Sequence, residues 1–590
     1  MRLENKLEEQ VLNEISTEEP WKLIEKFSTL IRESGSTDEL EAGRYITARL
    51  KYYGVRHRVF EPKLYVSIPK SVSVEVLEPE RQELRHENKV MNPKVMAMSP
   101  SAEIQAELVY VPSKRSSGFG DFFDIGAEKP PETVKGKAVL TEGLSIMPRR
   151  PLMFEHAGAI LFISYAPQDR THEGISTTIW GIPTTENIAD KPKIPSIVIC
   201  NSYGLYLRNL LAKERRVKIR VKTALDEGWK KCIIPVAEIR SSKPANEFVL
   251  LHGHYDSWHY GIGDNAVGDA GLLEIARVFN KFRSNLHRNL RVAWWPGHST
   301  GRYAGSTWYA DNFALELYEN CVAQVNMDSP GCRDATSYED VCWTDEAEEL
   351  CKNVIKDVTG EDSTGISPIR AGDYSFHGIG ITSFFMLLSS VPEATRKARG
   401  WYPVGGCGGN LEWHTEEDNL PVADKQILLK DMRIYALAIL RVLNSKILPF
   451  DFRKTVRKSI NVIDRYATMA DGKFDFSSVK GEMVGLLRDL TTFYKYSEKS
   501  TSSTQSEKAN KAIIKLSRIL VSLQYSQKRA LDHDPAIQIP PYPDLAISEM
   551  LSNQENSIDE GFVLNQLTRG TNRVIQALRK ARLTAQTAFN

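Results

Sequence analysis

The feature that most constrains the fold is a set of apolar segments that each end in polar residues. The segments "NEFVLLHGHYDSW", "NLRVAWWPG" and "CVAQVNMDSPG" begin at residues 246, 289 and 321, and the helix-patterned segment "GDAGLLEIARVFNKFRSN" separates the first two. Apolar strands that alternate with helices are typical of a largely parallel sheet covered on both faces. The sequence therefore predicts an α/β fold with a doubly covered, mostly parallel sheet, and a ligand site beyond the carboxyl ends of its strands.

The rest of the chain predicts three further regions around this sheet. Residues 1–90 contain two amphipathic helices and a strand, and are interpreted as the N-terminal part of the same α/β domain. Residues 91–228 change to short β-branched strands with Gly/Pro turns, which indicates an inserted β-rich domain. Residues 229–447 complete the α/β domain, and residues 448–590 show apolar residues at helical spacing, which predicts a C-terminal helical bundle.

Composition excludes several classes of protein. The chain has 590 residues, of which 42% are hydrophobic and 26% charged, values typical of a soluble protein with several domains. The net charge of +1 gives no field that favours nucleic acid or an anionic membrane. The N-terminus lacks the apolar core of a signal peptide, and no run approaches the roughly 18 apolar residues of a membrane span, so a cytoplasmic location is expected. Seven cysteines without a CxxC motif predict free, mostly buried thiols.

Three residues that can carry chemistry follow the first apolar strand, within "LLHGHYDSWHYGIGDNAVG". His254 stands at the end of the strand, Asp256 two residues later, and Asp264 in a glycine-rich loop before a helix. A neutral imidazole and a carboxylate that can bridge are suitable ligands for a divalent metal, and a nearby Asp can fix the tautomer of the imidazole. Histidine and aspartate also occur in structural turns, so this stretch alone leaves a structural role open.

Two further residues extend the pattern. Asp328 ends the strand "VAQVNMDSPG", and His414 lies in "GGNLEWHTEEDNL" before a helix, although either alone is compatible with a structural role. Together with His254 and Asp264 they give His, Asp, Asp and His at successive edges of the sheet, a pattern typical of two metal ions that share the central carboxylate. The sequence thus predicts one or two divalent ions, and these ligand types are compatible with zinc, manganese, iron or cobalt.

The order of these motifs resembles the zinc peptidases of the M28 family, and more closely the subgroup that contains glutamate carboxypeptidase II and transferrin receptor. The motifs that carry the resemblance are "HYDSW", "GDNAVGDAGLLEIARVF", "AGSTWYAD", "NMDSPG" and "WHTEEDNL" in the α/β domain, and "KGKAVL", "AGAILFISY" and "IPSIVI" in the insert. Those proteins combine a peptidase-like α/β domain, an inserted protease-associated (PA) domain and a C-terminal helical dimerisation domain. The resemblance therefore implies a PA-like insert and a homodimer formed through the C-terminal helices.

The resemblance also implies roles for single residues. His254 and Asp328 would bind one metal, and Asp264 would bridge to a second ion that also uses His414. Asp256 would orient His254.

The loop after the next strand departs from the family pattern. Hydrolases of the family carry adjacent glutamates there, in a pattern like W-D-A-E-E-F-G, where one glutamate is the general base and the other binds the second metal. This chain reads "WPGHSTG", and alignment on Trp295 and Gly301 puts His298 and Ser299 at the two glutamate positions. Serine is a poor ligand for a divalent metal compared with a carboxylate, so both roles come into question.

Three interpretations of His298 remain open on the sequence. It can replace the lost glutamate as ligand or general base, since an imidazole titrates near neutrality. It can belong to a metalloenzyme with different chemistry on a small polar molecule. Alternatively, the chain has lost catalysis and is a dimeric binding protein of the transferrin-receptor type. The leading hypothesis is a metal-dependent hydrolase of an amide or peptide-like bond in a short peptide or other small molecule.

A second segment, "ISPIRAGDYSFHGIGI", matches a family segment near the substrate. Arg370, Asp373 and Tyr374 are therefore predicted to bind substrate together with Ser299, because arginine offers a rigid fork suited to a carboxylate. A surface loop with a helix cap is the structural alternative. His259 is a further candidate ligand, ranked after His298 because a lone loop histidine is more often structural.

Overall fold

The computed structural model describes residues 5–84, 92–113, 130–144, 149–214, 216–499, 502–552 and 559–588. Its α-helices are α1 (Lys6–Glu14), α2 (Glu18–Phe27), α3 (Thr37–Tyr52), α4 (Arg149–His156), α5 (Asn201–Lys213), α6 (Val267–Lys281), α7 (Ala304–Asn312), α8 (Ala314–Asn320), α9 (Glu348–Thr359), α10 (Glu393–Ala398), α11 (Lys425–Asn444), α12 (Phe452–Met469), α13 (Ser477–Glu498), α14 (Ser503–Tyr525), α15 (Pro543–Ala546) and α16 (Glu560–Thr587). Its strands are β1 (His57–Phe60), β2 (Lys63–Glu78), β3 (Gln82–Glu83), β4 (Lys94–Val95), β5 (Ala102–Tyr110), β6 (Ala138–Glu142), β7 (Leu161–Tyr165), β8 (Ser196–Ile199), β9 (Lys218–Lys231), β10 (Ile234–Ile239), β11 (Phe248–His254), β12 (Asn289–Trp295), β13 (Cys321–Asn326), β14 (Val341–Cys342), β15 (Gly365–Ile366) and β16 (Ser383–Phe384).

The central sheet is mixed, with a parallel half that carries the predicted site. Its strand order is β1-β10-β12-β11-β13-β16. The pairings β12–β11, β11–β13 and β13–β16 are parallel, whereas β1–β10 and β10–β12 are antiparallel. The α/β class is confirmed, and the sheet is mixed: three of its five pairings are parallel and the other two form an antiparallel edge, which is a common arrangement in large α/β folds.

Side chains of the central strands alternate between two buried layers. Val249 and Leu251 of β11 pack into the larger core with α2, α3, α6 and α11, whereas Phe248 and Leu250 pack against α7 and α8. Successive residues of a strand point to opposite faces, so a strand that is apolar at every position must be covered on both sides. The sheet is therefore doubly covered, as the continuous apolar runs predicted.

A second sheet has eight strands. Most of them belong to the predicted insert, but β2 and β3 precede it in the chain. The strand order of this sheet is β3-β2-β9-β5-β6-β7-β8-β4, and the long strands β2 and β9 pair antiparallel from Lys63 with Lys231 to Glu78 with Lys218. In the chain, β2 directly follows the edge strand β1 of the central sheet, and β9 directly precedes β10, the neighbour of β1 in that sheet. The predicted boundary at residues 90 and 91 lies outside the described residues, and the assignment of this sheet to a PA-like domain stays a prediction.

The C-terminal region is helical, as the spacing of apolar residues predicts. Helices α12, α13, α14 and α16 pack through buried apolar residues such as Ile463, Leu486 and Leu578. Dimerisation through these helices stays a prediction. All seven cysteines are buried free thiols, in agreement with the sequence analysis. Among the described residues, no helix combines the length and the apolar character that a membrane crossing requires.

Candidate metal centre and active site

The carboxyl ends of the parallel strands bring together residues that are far apart in the chain. His254 is the last residue of β11, and Asp328 lies two residues beyond the end of β13. Asp264 lies in the segment that precedes α6, and His414 in the loop that precedes α11. The Asp264 carboxylate lies close to both imidazoles: Oδ1 lies 2.9 Å from His254 Nε2, and Oδ2 lies 3.1 Å from His414 Nε2. The carboxylate predicted to be shared thus lies between the two imidazoles.

The Nε2 atoms of both histidines point to Asp264 because backbone carbonyls occupy their other ring nitrogens. His254 Nδ1 lies 3.0 Å from the carbonyl oxygen of Asp256, and His414 Nδ1 lies 2.8 Å from that of Glu173. A hydrogen bond from one ring nitrogen to a carbonyl fixes the tautomer and the ring orientation, which is the usual arrangement of metal-binding histidines.

The electrostatics of this cluster favour a bound cation. Burial raises the pKa of Asp328 to about 6, and the neighbouring charge of Asp264 adds to the effect. Burial also acts to raise the pKa of Asp264, but hydrogen bonds from His254 and His414 outweigh it and hold that pKa well below its usual range. Two carboxylates that are crowded together in a buried site lose this mutual repulsion when a cation binds between them.

Asp256 anchors the substituted loop through its carboxylate. Oδ1 accepts from the backbone N–H of His298 at 3.0 Å, and Oδ2 accepts from the N–H of Ser299 at 2.9 Å and from Ser34 Oγ at 2.9 Å. The distance from His254 Nδ1 to Asp256 Oδ1 is 3.7 Å, too long for a hydrogen bond. The backbone carbonyl of Asp256 therefore orients His254, as described above, while the carboxylate holds the loop.

His298 lies at the centre of the site and is held by a carboxylate. Its Nδ1 lies 2.7 Å from Asp373 Oδ2, and Asp373 Oδ1 accepts from Ser306 Oγ at 2.6 Å. The imidazole stacks on His254 with 3.7 Å between ring centroids and 14° between ring planes. Burial acts to raise the pKa of Asp373, but the His298 imidazole outweighs it and lowers that pKa. The arrangement is a histidine–aspartate pair with the second ring nitrogen left for other contacts.

Two residues of the predicted insert, His172 and Glu173, help to fix the position of His414. Besides accepting from His414 Nδ1, Glu173 donates its backbone N–H to the carbonyl oxygen of His414 at 2.8 Å. The ring of the preceding residue, His172, makes two contacts of 2.6 Å: Nδ1 lies near the carbonyl oxygen of Trp413, and Nε2 lies near Tyr402 Oη. The insert therefore positions a predicted metal ligand of the α/β domain.

Asp418 is a positioning residue that the sequence analysis missed. Its Oδ1 accepts from the N–H of Gly263 at 2.7 Å, and its Oδ2 accepts from the N–H of Asp264 at 3.0 Å. Burial raises its pKa to about 7. Asp418 belongs to the quoted motif "WHTEEDNL", four residues after His414, so its presence in that motif was the available signal.

A cavity that is partly open to solvent adjoins the cluster. Asp264, Asp328 and His414 line it, and the substituted loop contributes four residues to its wall: His298, Ser299, Arg302 and Tyr303. The remaining wall is largely apolar and includes Trp258, Met386 and Trp413. An apolar wall with a few convergent polar groups is typical of a site for a small ligand.

The residues predicted to bind substrate lie at different distances from the cavity. The Arg370 side chain is buried outside the cavity lining, where Nη2 donates to the carbonyl oxygen of Asp534 at 2.7 Å. Tyr374 is fully buried and packs beside His377 in the interior. Asp373 is also fully buried and contacts His298, whereas Ser299 lines the cavity. Substrate binding by these residues stays a prediction.

His259 pairs with glutamate side chains and lies apart from the predicted metal ligands. Its Nε2 lies 2.7 Å from Glu173 Oε1 and 3.7 Å from Glu416 Oε1. Lys94 joins the same group, 2.6 Å from Glu416 and 3.2 Å from Glu173. Since Lys94 and Glu173 belong to the insert, this ion network ties the insert to the α/β domain.

The donor set suits a divalent metal ion. Potential ligand atoms of His254, His298 and Asp328 all lie within 4.8 Å of one another, and Asp264 and His414 adjoin them. Imidazole and carboxylate donors without thiolate are compatible with zinc and other first-row divalent ions. The residues present thus fit the metal that the sequence predicts.

The fold and this cluster define the chain as an α/β protein with a candidate metal centre. Residues 236–438 match the model of peptidase family M28. This range includes all of the predicted ligands.

Curated relatives match at low identity. The probable glutamate carboxypeptidase AMP1 of Arabidopsis thaliana is 25% identical over 388 residues, which cover 57% of this chain and 54% of the relative. Leucine aminopeptidase 2 of Trichophyton equinum is 25% identical over 293 residues, which cover 45% of this chain and 54% of the relative. The chain thus spans about half the length of these curated relatives.

Solved structures support the fold. An aminopeptidase from Aneurinibacillus sp. strain AM-1 superposes with a TM-score of 0.53 at 21% identity, covering 74% of this chain and 96% of that one. BSAP, a zinc aminopeptidase from Bacillus subtilis, gives a TM-score of 0.53 at 17% identity, covering 74% and 97%. At these identities the similarity concerns the fold alone.

Proposed function

We propose that this protein is a metal-dependent hydrolase of a peptide or similar amide bond, in which His298 takes the place of the general base. The observation that carries the proposal is the His298–Asp373 pair, 2.7 Å apart, in the wall of the cavity that also exposes Asp264, Asp328 and His414. The M28 domain and the aminopeptidase names of several relatives support this reaction class, and one structural neighbour is called a zinc aminopeptidase.

Asp373 prepares His298 for proton transfer. Its carboxylate accepts from Nδ1, which fixes the tautomer with an unprotonated Nε2 and stabilises the imidazolium that forms when Nε2 takes a proton. Ser306 holds the far oxygen of Asp373 at 2.6 Å, so the carboxylate cannot rotate away from the ring. The pair can accept a proton from the attacking water and return it to the leaving amine.

Ring geometry favours a base over a ligand that shares the ion of His254. The lone pair of an imidazole nitrogen lies in the ring plane, and zinc binds along it at about 2.0–2.1 Å. The rings of His254 and His298 are stacked 3.7 Å apart and within 14° of parallel. Lone pairs in parallel, stacked planes do not converge on one ion, which leaves the Nε2 of His298 for proton transfer.

His254, Asp264, Asp328 and His414 would hold the metal. A divalent ion bound there polarises a carbonyl group and lowers the pKa of water. The protein contributes the fixed orientation of the donors: carbonyl oxygens of Asp256 and Glu173 orient the imidazoles, and Asp418 holds the backbone at Asp264. Trp258 and Trp413 give the cavity wall beside these donors an apolar character.

The test combines metal analysis with hydrolysis of a panel of dipeptides and amino-acid amides. Protein purified without added metal is expected to contain zinc or another divalent ion and to hydrolyse members of the panel. The variant His298→Ala is expected to keep its metal and to lose about 10²- to 10⁴-fold in kcat, the usual contribution of general acid–base catalysis. His287→Ala, at an exposed surface position, is the matched control and should retain full activity.

Three results would contradict parts of the proposal. If metal-loaded wild-type protein hydrolyses no amide or peptide, the reaction class is wrong. If His298→Ala loses its metal together with its activity, His298 is a ligand. If His298→Glu raises the activity while His298→Ala changes nothing, the imidazole is not the base.

A further inference from the structure

Arg302 stands out among the buried arginines because its side chain has no hydrogen-bond acceptor. It is 6% exposed, and its Nε and Nη2 atoms are buried without a partner among the described residues. The other buried arginines of the described chain all donate to acceptors: Arg32, Arg150, Arg288, Arg370 and Arg518. A buried guanidinium without an acceptor is unfavourable, so the missing partner calls for an explanation.

The residue that carries the unpaired guanidinium lines the cavity of the candidate active site. Arg302 lines this cavity together with His298, Asp328 and His414. No acidic side chain lies within ion-pair distance of Arg302 in the part of the chain that the structure describes, and its guanidinium carbon Cζ lies 5.3 Å from the centroid of the Tyr303 ring. The wall of the cavity therefore contains an arginine at one position and the acidic predicted metal ligands at another.

The backbone holds Arg302 in this unusual position. Arg302 and Tyr303 have φ angles of +48° and +72°, in the left-handed region that side chains rarely adopt. Two hydrogen bonds stabilise the conformation: Gly181 of the insert donates to the carbonyl oxygen of Arg302 at 2.6 Å, and Tyr303 donates to that of His298 at 3.2 Å. The same loop thus presents the candidate base and the unpaired guanidinium to one cavity.

We propose that Arg302 is a specificity-determining residue that binds a carboxylate of the substrate while the amide bond lies at the metal centre. The position of the amide bond at the metal centre rests on the proposed function. The binding of a carboxylate rests on the unpaired guanidinium. Arginine presents parallel N–H donors that match the two oxygens of a carboxylate, and a desolvated pair of this kind is strong. The preferred substrates are short peptides or N-acyl amino acids with a carboxylate close to the bond that is cleaved.

The carboxylate has two possible sources, a free C-terminus or an acidic side chain, and the probes separate them. Ala-Phe, Ala-Phe-amide and Ala-Asp-amide are titrated calorimetrically into metal-free protein, so that binding is measured without hydrolysis. We expect Ala-Phe to bind about 10- to 100-fold more tightly than Ala-Phe-amide if the C-terminus is the source. Tighter binding of Ala-Asp-amide than of Ala-Phe-amide identifies the side chain as the source.

Arg302→Gln is expected to abolish this preference, and Arg302→Lys to keep only part of it because the ammonium lacks the planar fork. Arg370→Gln is the matched control, since Arg370 is buried nearby but already donates to backbone carbonyls. It should keep the preference and lower the Tm, whereas Arg302→Gln has no hydrogen bond to lose and should lower the Tm less. If Arg302→Gln lowers the Tm as much as Arg370→Gln while the preference persists, Arg302 has a structural role and the proposal is overturned.

The binding test gives its result independently of whether the protein hydrolyses peptides. If the wild type binds free acid and amide equally in the metal-free form, the inference fails even when peptides are hydrolysed. If the wild type prefers carboxylates, Arg302→Gln does not, and no peptide is hydrolysed with metal present, Arg302 is an anion-binding residue and the proposed hydrolase activity fails instead.

Discussion

Two neighbouring regions of the cavity wall are built in opposite ways. In the His–Asp cluster of His254, Asp264, Asp328 and His414, backbone carbonyls hold both imidazoles, and the central carboxylate lies within 3.1 Å of each ring. In the loop of residues 298–303, the Arg302 guanidinium is unpaired and two successive non-glycine residues have positive φ angles. Strained backbone and unsatisfied polar groups cost free energy, and they gather where a ligand provides the compensation.

The difference indicates that the cluster and the loop have separate roles, one toward the metal and the other toward the substrate. The cluster is preorganised to hold a cation, because carbonyl oxygens fix the rings and Asp418 fixes the backbone at Asp264. The loop is anchored separately from the cluster, and its first residues are held by the carboxylate of Asp256, which accepts from the N–H groups of His298 and Ser299. Changes in the cluster should therefore act through the metal, and changes in the loop should act on substrate without displacing the metal.

The largest expected effect tests the cluster. Asp264→Asn removes the carboxylate that bonds both His254 and His414, so we expect the metal content to fall and activity to drop more than about 100-fold, beyond the effect typical of residues that only support a ligand. Elemental analysis and dipeptide hydrolysis measure both quantities, with the exposed Asp311→Asn as control. Full metal occupancy in Asp264→Asn would show that the cluster does not bind the ion through this residue.

A smaller effect concerns pH and the unfolding free energy of the metal-free protein. The folded-state pKa of Asp328 is raised to about 6, so the folded state binds a proton more tightly than the unfolded state. This group therefore contributes stability below its unfolded pKa of about 3.9 that is lost as pH rises toward 6. In metal-free protein, Asp328→Asn should gain on the order of 2 kcal/mol relative to wild type between pH 4 and pH 7.

Urea unfolding of wild type and Asp328→Asn at both pH values, with and without zinc, measures this difference. Zinc should reverse the order at pH 7, because the ion then stabilises the ionised carboxylate of the wild type. A pH-independent difference between the two metal-free proteins would mean that Asp328 is not under the electrostatic strain that the cluster implies.

The smallest expected effect tests the anchoring of the loop. Ser34 Oγ donates to Asp256 Oδ2 and accepts from the N–H of Gly297, each at 2.9 Å. Ser34→Ala leaves the N–H of Gly297 without its acceptor and removes one of the two donors to Asp256 Oδ2, so we expect a loss of about 1–2 kcal/mol in unfolding free energy and faster hydrogen exchange near Gly297. Metal content should equal that of wild type and of the exposed control Ser284→Ala. Loss of metal in Ser34→Ala would contradict the separation between loop and cluster.

Much of the fold could be predicted because its signals are local. Continuous apolar runs such as β11 require cover on both faces, and apolar spacing marked the helices α12, α13, α14 and α16. One error has a local cause as well: Glu61 and Pro62 divide what was predicted as a single strand into β1 and β2. The antiparallel edge of the central sheet was missed because pairing direction depends on how distant strands meet.

By itself, the sequence determined the strands, the helices and four candidate ligands at the strand ends, since the carboxyl ends of parallel strands share one edge of a sheet. The tertiary structure decided how the polar residues are paired. Asp373 was predicted to bind substrate, yet it holds His298 from 75 positions away in the chain. The pairing of Arg370 with backbone carbonyls, and the absence of a partner for Arg302 among the described residues, likewise depend on segments that meet only in the folded chain. Periodicity records which face of an element is buried, whereas the partner of a buried charge is set by the packing of several elements.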